Sequence, residues 1–149
     1  MIIKSLSVFC LLICFVACNN QTQETQENIE PQTGNITNCY RSIKNNDTIS
    51  LITKDSAGMI TGTLLYALSE KDKNTGTIQG NIKDNLLVAN YTFMSEGTIS
   101  VRQVAFKKTA NGFIEGYGNV EDKDGKMIFK NTDSLTFNNT SLLTSIDCE

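Results

Sequence analysis

Cysteines are the first side chains to consider for covalent or metal chemistry in this chain, since histidine is missing. The sequence has five cysteines and no histidine. Without an imidazole, a nucleophilic serine or cysteine lacks its usual general base, and the common zinc sites lose their usual ligand. The sequence also lacks the glycine-rich loop and lysine that cradle nucleotide phosphates. These residue types argue against triad hydrolases, zinc enzymes and nucleotide enzymes, and we predict neither a cofactor nor a bound metal.

Carboxylates are the remaining candidates for catalysis. Glu96 and Glu115 are one pair that would suit acid–base hydrolysis, but a chain with 16 acidic residues offers many such pairs. The acidic run 121–125 has some of the spacing of a calcium loop. Val120 stands where the first ligand belongs, however, and no glutamate follows at the twelfth position. We interpret this run as a hairpin turn and predict that the protein is not an enzyme, with carboxylate-based hydrolysis as the weakest alternative.

The amino terminus has the pattern of an export signal. Lys4 precedes an apolar run from Leu6 to Ala17 that only Ser7 interrupts. As a helix, this run would be about 18 Å long, whereas the hydrocarbon core of a bilayer is about 30 Å thick. We therefore predict a cleaved signal peptide at residues 1–17, in helical form, and not a membrane-spanning helix.

The residues around Cys18 specify the kind of signal. Phe15-Val16-Ala17-Cys18 resembles the lipobox of bacterial lipoprotein precursors. The resemblance implies cleavage before Cys18, a lipid on its sulfur and acyl chains, such as palmitate, that hold the protein on a membrane. Asn19 stands where an aspartate would favour inner-membrane retention, which implies the outer membrane, with the domain in the periplasm or at the cell surface. An ordinary signal peptide beside an unmodified cysteine is the alternative.

The remaining cysteines form an even pair. Cys10 and Cys14 leave with the signal and Cys18 takes the lipid, so Cys39 and Cys148 remain. An exported compartment permits a disulfide between them, and we predict that this bond ties one end of the folded domain to the other. Two free thiols or a metal-binding pair are the alternatives.

A polar segment separates the predicted anchor from the folded part. Residues 18–37 are rich in Asn, Gln, Thr and Glu and contain Pro31, the only proline. Such a segment cannot bury enough apolar surface to offset the entropy of ordering it. We predict a flexible tether here and one folded domain at residues 38–149.

Apolar and polar residues alternate along the folded part, which is the pattern of half-buried β-strands. Ile60, Leu64 and Tyr66 share one side of their run, and Ile78 and Ile82 share one side of the next. Turn-forming clusters separate the runs at residues 44–47, 55–58, 70–74, 83–85, 95–97, 110–112 and 122–125. Short connections between consecutive strands predict an all-β, antiparallel up-and-down meander of eight or nine strands.

Closure of this meander into a barrel is favoured over an open sheet or a sandwich. Glycines occur inside the runs at Gly62, Gly80, Gly116 and Gly118, and no proline follows Asn38. The alternation changes phase after Arg102-Gln103, which predicts a β-bulge or a sharp bend there. We expect the last strand at Leu135–Phe137.

Several segments carry a resemblance to a family: 76–80, 87–93, 95–97 and 104–108. They resemble small lipoproteins of Bacteroidota, most of them uncharacterised, which are lipocalin-like (calycin-like). The resemblance implies a lipocalin-like β-barrel, and it brings no catalytic residues.

An eight-stranded barrel can hold one small ligand in its interior. Tyr66, Tyr91 and Tyr117 lie mid-strand among apolar neighbours, and with Arg102 they are our candidates for lining such a pocket. Alternatively, the tyrosines are packing residues and the arginine is solvated. We predict a non-enzymatic binder of a small apolar or amphipathic ligand. A protein–protein interaction module of the cell envelope is the alternative, and the net charge of −3 argues against a nucleic-acid partner.

Overall fold

A computed structural model describes residues 36–148, apart from the side chain of Ser141. The predicted signal peptide, Cys18 and most of the predicted tether lie outside these residues. Ten strands account for most of this part of the chain. They are β1 (Ile36–Lys44), β2 (Asp47–Ser56), β3 (Met59–Ala67), β4 (Asn74–Lys83), β5 (Leu86–Ser95), β6 (Thr98–Thr109), β7 (Gly112–Tyr117), β8 (Val120–Lys123), β9 (Lys126–Phe129) and β10 (Thr136–Ile146), with a 3-10 turn at Thr132–Ser134 before β10.

Eight of these strands close into an antiparallel barrel. The order around the wall is β5-β4-β3-β2-β1-β10-β7-β6, and pairing between β5 and β6 completes the ring. The prediction of an all-β meander and of a closed barrel is therefore confirmed. The remaining two strands form a hairpin between β7 and β10, and β9 pairs in parallel with β6 at Val101 and Arg102. All eight wall strands lie within residues 36–148, so the barrel is complete in this part of the chain.

The hairpin loops explain why the meander forms where it does. Five two-residue loops have positive φ at both positions, as type I′ turns require, and their twist matches that of the flanking strands. These loops are Asn45-Asn46, Ala57-Gly58, Asp84-Asn85, Glu96-Gly97 and Asp124-Gly125. The last of them lies in the acidic run interpreted as a turn, and Asp122 accepts a hydrogen bond there from the backbone N–H of Gly125 at 3.2 Å.

Close packing of the wall requires glycine at Gly62. A Cβ atom at this position would lie 1.8 Å from the carbonyl oxygen of Ile52 on the neighbouring strand. Any side chain would therefore push β3 away from β2 and break the ladder between them. Gly118, in contrast, lies in the connection between β7 and β8 and not inside a strand.

Two details of the predicted strands are wrong. Pairing between β5 and β6 runs without a break from Ser95 with Thr98 to Leu86 with Lys107, so there is no bulge at Arg102. The alternation of apolar and polar residues is misleading in this strand because the apolar Ile99 lies on the outer face, where it is 69% exposed. The real irregularity lies in β10, whose register against β7 shifts between residues 137 and 142. That strand also continues to Ile146, well beyond the predicted Leu135–Phe137.

The apolar core extends from the end of the barrel where β1 begins and β10 ends to Tyr66 and Tyr91 in its other half. The buried residues that pack together are Leu51, Ile60, Leu64, Tyr66, Ile78, Leu87, Ala89, Tyr91, Val104, Phe106, Phe113 and Leu143. The predicted disulfide is present: Cys39 in β1 is bonded to Cys148, just after β10, with Cα atoms 5.3 Å apart. It thus staples the first strand of the wall to the last. Residues 36–148 include no helix of the length and apolarity needed to cross a membrane.

Candidate ligand-binding site

The candidate side chains gather at one end of the barrel, which we call the mouth. At the mouth β1, β3, β5 and β7 end, and β2, β4 and β6 begin. Tyr66 and Tyr117 lie near the ends of β3 and β7, and Arg102 lies in the first half of β6. Tyr91 lies in the middle of β5, farther from the mouth. Four separate strands therefore position the four residues that the sequence singled out.

A hydrogen bond crosses the interior below the mouth. The hydroxyl of Tyr66 donates to Oε1 of Glu115 at 2.5 Å, between residues 49 positions apart in sequence. Their strands, β3 and β7, are four places apart in either direction around the eight-stranded wall and so face each other. Both side chains are 6% exposed. We call this contact the crossbar, because it joins opposite walls of the barrel.

The second oxygen of the carboxylate is also bound. The hydroxyl of Tyr117, a residue that is 48% exposed, donates to Oε2 of Glu115 at 2.8 Å. Burial raises the pKa of the Glu115 carboxyl, while the two tyrosine hydroxyls and the positive Arg102 oppose that rise. Burial and the adjacent carboxylate raise the pKa of Tyr66 far above its ordinary value. Tyr66 therefore remains a hydrogen-bond donor at any physiological pH.

Arg102 lies over three aromatic rings. Its Cζ atom is 5.1 Å from the ring centroid of Tyr66, 5.5 Å from that of Tyr91 and 5.3 Å from that of Phe93. Each contact attracts the cation to the electron-rich face of a ring. Among the residues that the structure describes, no acceptor forms a hydrogen bond or an ion pair with the guanidinium. The rings therefore hold the cation while its N–H groups stay available.

Tyr91 is the buried support of this arrangement. Its ring stacks on Phe93 with centroids 4.7 Å apart and meets Tyr66 edge-on at 5.8 Å. A Cβ atom on Gly76 would lie 2.8 Å from the Tyr91 ring, so the glycine makes room for the stack. Tyr91 is fully buried, and within residues 36–148 its hydroxyl has no hydrogen-bond partner.

A cavity of about 600 Å³ opens above the crossbar. Its polar lining includes Tyr66, Asn74, Arg102, Glu115 and Tyr117, and its apolar lining includes Ile49, Leu68, Val104, Val120, Met127 and Phe129. Three of the apolar residues come from the β8–β9 hairpin, which is held against β6 by a hydrogen bond from the Phe129 N–H to Oε1 of Gln103 at 3.0 Å. The hairpin therefore extends the wall of the cavity on one side.

The sequence analysis found some of this site and missed the rest. Tyr66, Arg102 and Tyr117 line the cavity, and Tyr91 is buried beside them. Whether they bind a ligand stays a prediction. Glu115 was considered only as a hydrolytic partner for Glu96, which instead lies exposed in the β5–β6 turn. The sequence did contain one indication that Glu115 is buried, because this residue lies on the same strand face as the apolar Phe113. Nothing in the sequence pattern pointed to the apolar lining from the β8–β9 hairpin.

A second concavity, of about 840 Å³, lies on the outer face of β4 and β5. Its lining is mostly polar and includes Gln79, Asn81, Asn90 and Gln103. Of these, Gln79, Asn90 and Gln103 are direct cross-strand partners on three neighbouring strands. This row has the composition of a solvated sheet face, and it contains no buried titratable group.

Neither metal ligands nor relatives add to this description. In the part of the chain covered by the structure, no three His, Cys, Asp or Glu side chains come together as a metal site. Comparisons of the chain with protein-family models, with curated proteins and with solved structures found no match.

Proposed function

We propose that this protein is a lipid-anchored, lipocalin-like barrel of the bacterial cell envelope that binds a small amphipathic molecule in the cavity at its mouth, without catalysing a reaction on it. The observation that carries the proposal is the composition of that cavity. Polar and charged groups lie at Tyr66, Arg102 and Glu115, while apolar side chains cover other parts of the wall. A ligand with one polar end and one apolar end matches such a lining.

The size and position of the cavity support this reading. A volume of about 600 Å³ lies within the usual range for small-molecule sites, roughly 300–1,000 Å³. Proteins bury polar groups only at a free-energy cost, unless those groups are hydrogen-bonded. Glu115 meets this condition through its two tyrosine donors, but the partly buried Arg102 has no hydrogen-bond acceptor among the described residues. A bound ligand that supplied an acceptor would offset that cost.

The anchoring part of the proposal rests on Cys18 and the residues before it. It predicts that cells fed labelled palmitate incorporate it into the full chain, and that the chain fractionates with outer membranes. Cys18→Ser should abolish labelling, whereas the control Cys148→Ser, which alters a cysteine of the folded domain, should retain it. Labelling that persists in Cys18→Ser would contradict anchoring at this residue.

The binding part is testable with an uncharged apolar dye, N-phenyl-1-naphthylamine, whose fluorescence rises in apolar sites. The protein would be residues 19–149, which contain the whole barrel, made in an oxidising compartment. We expect saturable binding to the wild type and at least tenfold weaker binding to Val120→Trp, because Val120 lines the cavity and is 41% exposed. The matched control is Ile99→Trp on the outer face, which should bind the dye like the wild type. Equal binding by all three proteins would place the dye elsewhere.

An envelope interaction module is the second candidate function. Met94 and Ile99 are direct cross-strand partners near the tip of the β5–β6 hairpin, and they are 56% and 69% exposed. Exposed apolar pairs of this kind favour contact with another protein. Crosslinking in cells from residue 99 tests this candidate: one reproducible adduct that Met94→Lys abolishes would support it.

A further inference from the structure

The free donors of Arg102 narrow the chemistry of the ligand. A guanidinium has five N–H donors in one plane and no acceptor. Cation–π contacts with Tyr66, Tyr91 and Phe93 engage its charge but supply no hydrogen-bond acceptor to these donors. The arginine is partly buried, lines the cavity, and has no acceptor among residues 36–148. It is therefore a positioned cation whose N–H donors are not bound by any residue from 36 to 148.

Glu115 does not serve as the partner of Arg102, although both line the same cavity. Its two oxygens accept hydrogen bonds from the hydroxyls of Tyr66 and Tyr117, and no atom of the carboxylate lies within ion-pair distance of the guanidinium. The hydroxyls of Tyr66 and Tyr117 thus hold the Glu115 carboxylate on β7. The aromatic rings on β3 and β5 hold the guanidinium of Arg102 on β6. This separation leaves Arg102 for a group that enters from outside.

We propose that the ligand of the mouth cavity is an amphipathic carboxylic acid whose carboxylate pairs with Arg102. A carboxylate matches the planar donor pair of a guanidinium in a bidentate geometry. The guanidinium neutralises the single negative charge of a carboxylate, whereas a doubly charged phosphate would leave excess negative charge beside Glu115. The apolar chain of the acid then lies along Ile49, Val120 and Met127 in the cavity wall. The inference rests on the proposed function and names its ligand class.

The test compares three probes that differ only in their polar group: octanoate, 1-octanol and octylammonium. Each is titrated at pH 7.5 against residues 19–149 carrying bound N-phenyl-1-naphthylamine, and the concentration that displaces half of the dye is measured. Octanoate should displace the dye at a concentration at least tenfold lower than 1-octanol. Octylammonium should be the weakest, because its positive charge meets that of Arg102.

Two variants of Arg102 and one control locate the effect. Arg102→Met keeps an apolar side chain against the rings and should bring octanoate and 1-octanol to equal potency. Arg102→Lys keeps the charge but loses the bidentate donors, so the preference for octanoate should fall without disappearing. Lys108→Met removes an exposed cation that does not line the cavity, and this variant should keep the full preference. A cooperative thermal unfolding transition shows in each case that the variant is folded.

The outcomes separate this inference from the proposed function. If the dye binds in the cavity but octanoate is no better than 1-octanol, or if none of the probes displaces it, the ligand is not a carboxylic acid and the cavity remains a binding site. The same conclusion follows if Arg102→Met keeps the preference. If the dye itself does not bind, the proposed function fails first.

Discussion

The interior of the barrel has two halves that the same strands build in different ways. Toward the termini, β6 and β7 contribute the buried Phe106 and Phe113, which pack with Leu51 and Leu143. Toward the mouth, the same two strands contribute Arg102 and Glu115. A shift of one or two inward positions along a strand thus replaces packed apolar side chains with a cation and an acid.

This difference shows how a small barrel accommodates a polar site. The packed half and the disulfide stabilise the closed wall, which then holds Tyr66 and Glu115 opposite each other. The polar half is tolerated because its buried carboxylate accepts two hydrogen bonds. We therefore expect changes in the packed half to affect stability strongly and changes at the mouth to affect it less. The following predictions run from the largest expected effect to the smallest.

Removal of the disulfide should destabilise the barrel most. The bond joins residues 109 positions apart, and chain-entropy arguments assign a loop of that size a contribution of about 4–5 kcal/mol to the free energy of unfolding. Denaturant unfolding of Cys39→Ser/Cys148→Ser against the oxidised wild type measures it. Below its unfolding transition, the variant should still bind N-phenyl-1-naphthylamine. A decrease of less than about 1 kcal/mol in the free energy of unfolding would show that the disulfide contributes little to stability.

Truncation in the packed half should come next. Leu51→Ala removes a fully buried side chain and should lower the free energy of unfolding by about 2–5 kcal/mol, because a cavity remains. Ile43→Ala is the matched control, since Ile43 is 70% exposed, and its effect should stay within about 0.5 kcal/mol. Equal effects of the two variants would mean that this half of the barrel is not packed.

Breaking the crossbar should have a moderate effect. Tyr66→Phe keeps the ring under Arg102 but leaves Oε1 of the buried Glu115 without its donor, which should lower the free energy of unfolding by about 1–3 kcal/mol. Tyr117→Phe removes the donor to Oε2 from a residue that is half exposed, where water can replace it, and should lower it less. If Tyr117→Phe lowered the free energy of unfolding more than Tyr66→Phe in denaturant unfolding, the half-exposed Tyr117 and not the buried Tyr66 would be the main donor to the carboxylate.

The pH dependence of stability should report the burial of Glu115. Its pKa in the folded protein is raised above the ordinary value of 4.5, so between these two pH values the folded state binds more protons than the unfolded state. The stability of the wild type relative to Glu115→Gln should therefore be highest below about pH 4.5, fall as the pH rises through the raised pKa, and then level off. Melting temperatures from pH 4 to 8 measure this, with Glu96→Gln as a control for the loss of one exposed charge. A relative stability that rises with pH would contradict the prediction.

The smallest effect is expected at Tyr91. Its buried hydroxyl lacks a partner among the described residues, so Tyr91→Phe removes an unsatisfied group and keeps the ring. We expect the free energy of unfolding to stay the same or to rise by about 1 kcal/mol at most. A clear loss of stability in denaturant unfolding would show that the hydroxyl has a partner in solution.

Much of the wall was predictable because its determinants are local. Alternation in β3 and β4 assigned Ile60, Leu64, Tyr66 and Ile78 to one face, and all four are buried. The prediction failed at β6, where Ile99 is apolar but lies on the outside. Alternation reports which side is apolar and not which side is interior, so a polar stretch of the interior reverses its apparent phase.

The sequence by itself determined most of the strands and their turns, because period-two alternation and turn chemistry act over short ranges. It also predicted the pairing of Cys39 with Cys148 from the number of cysteines, and the structure contains that bond. Only the tertiary structure decided that Tyr66 meets Glu115 and that Arg102 lies over Tyr66, Tyr91 and Phe93. These contacts depend on closure of the eight-stranded wall, which brings β3 and β7 to opposite sides of one interior. No pattern within a single strand carries that information.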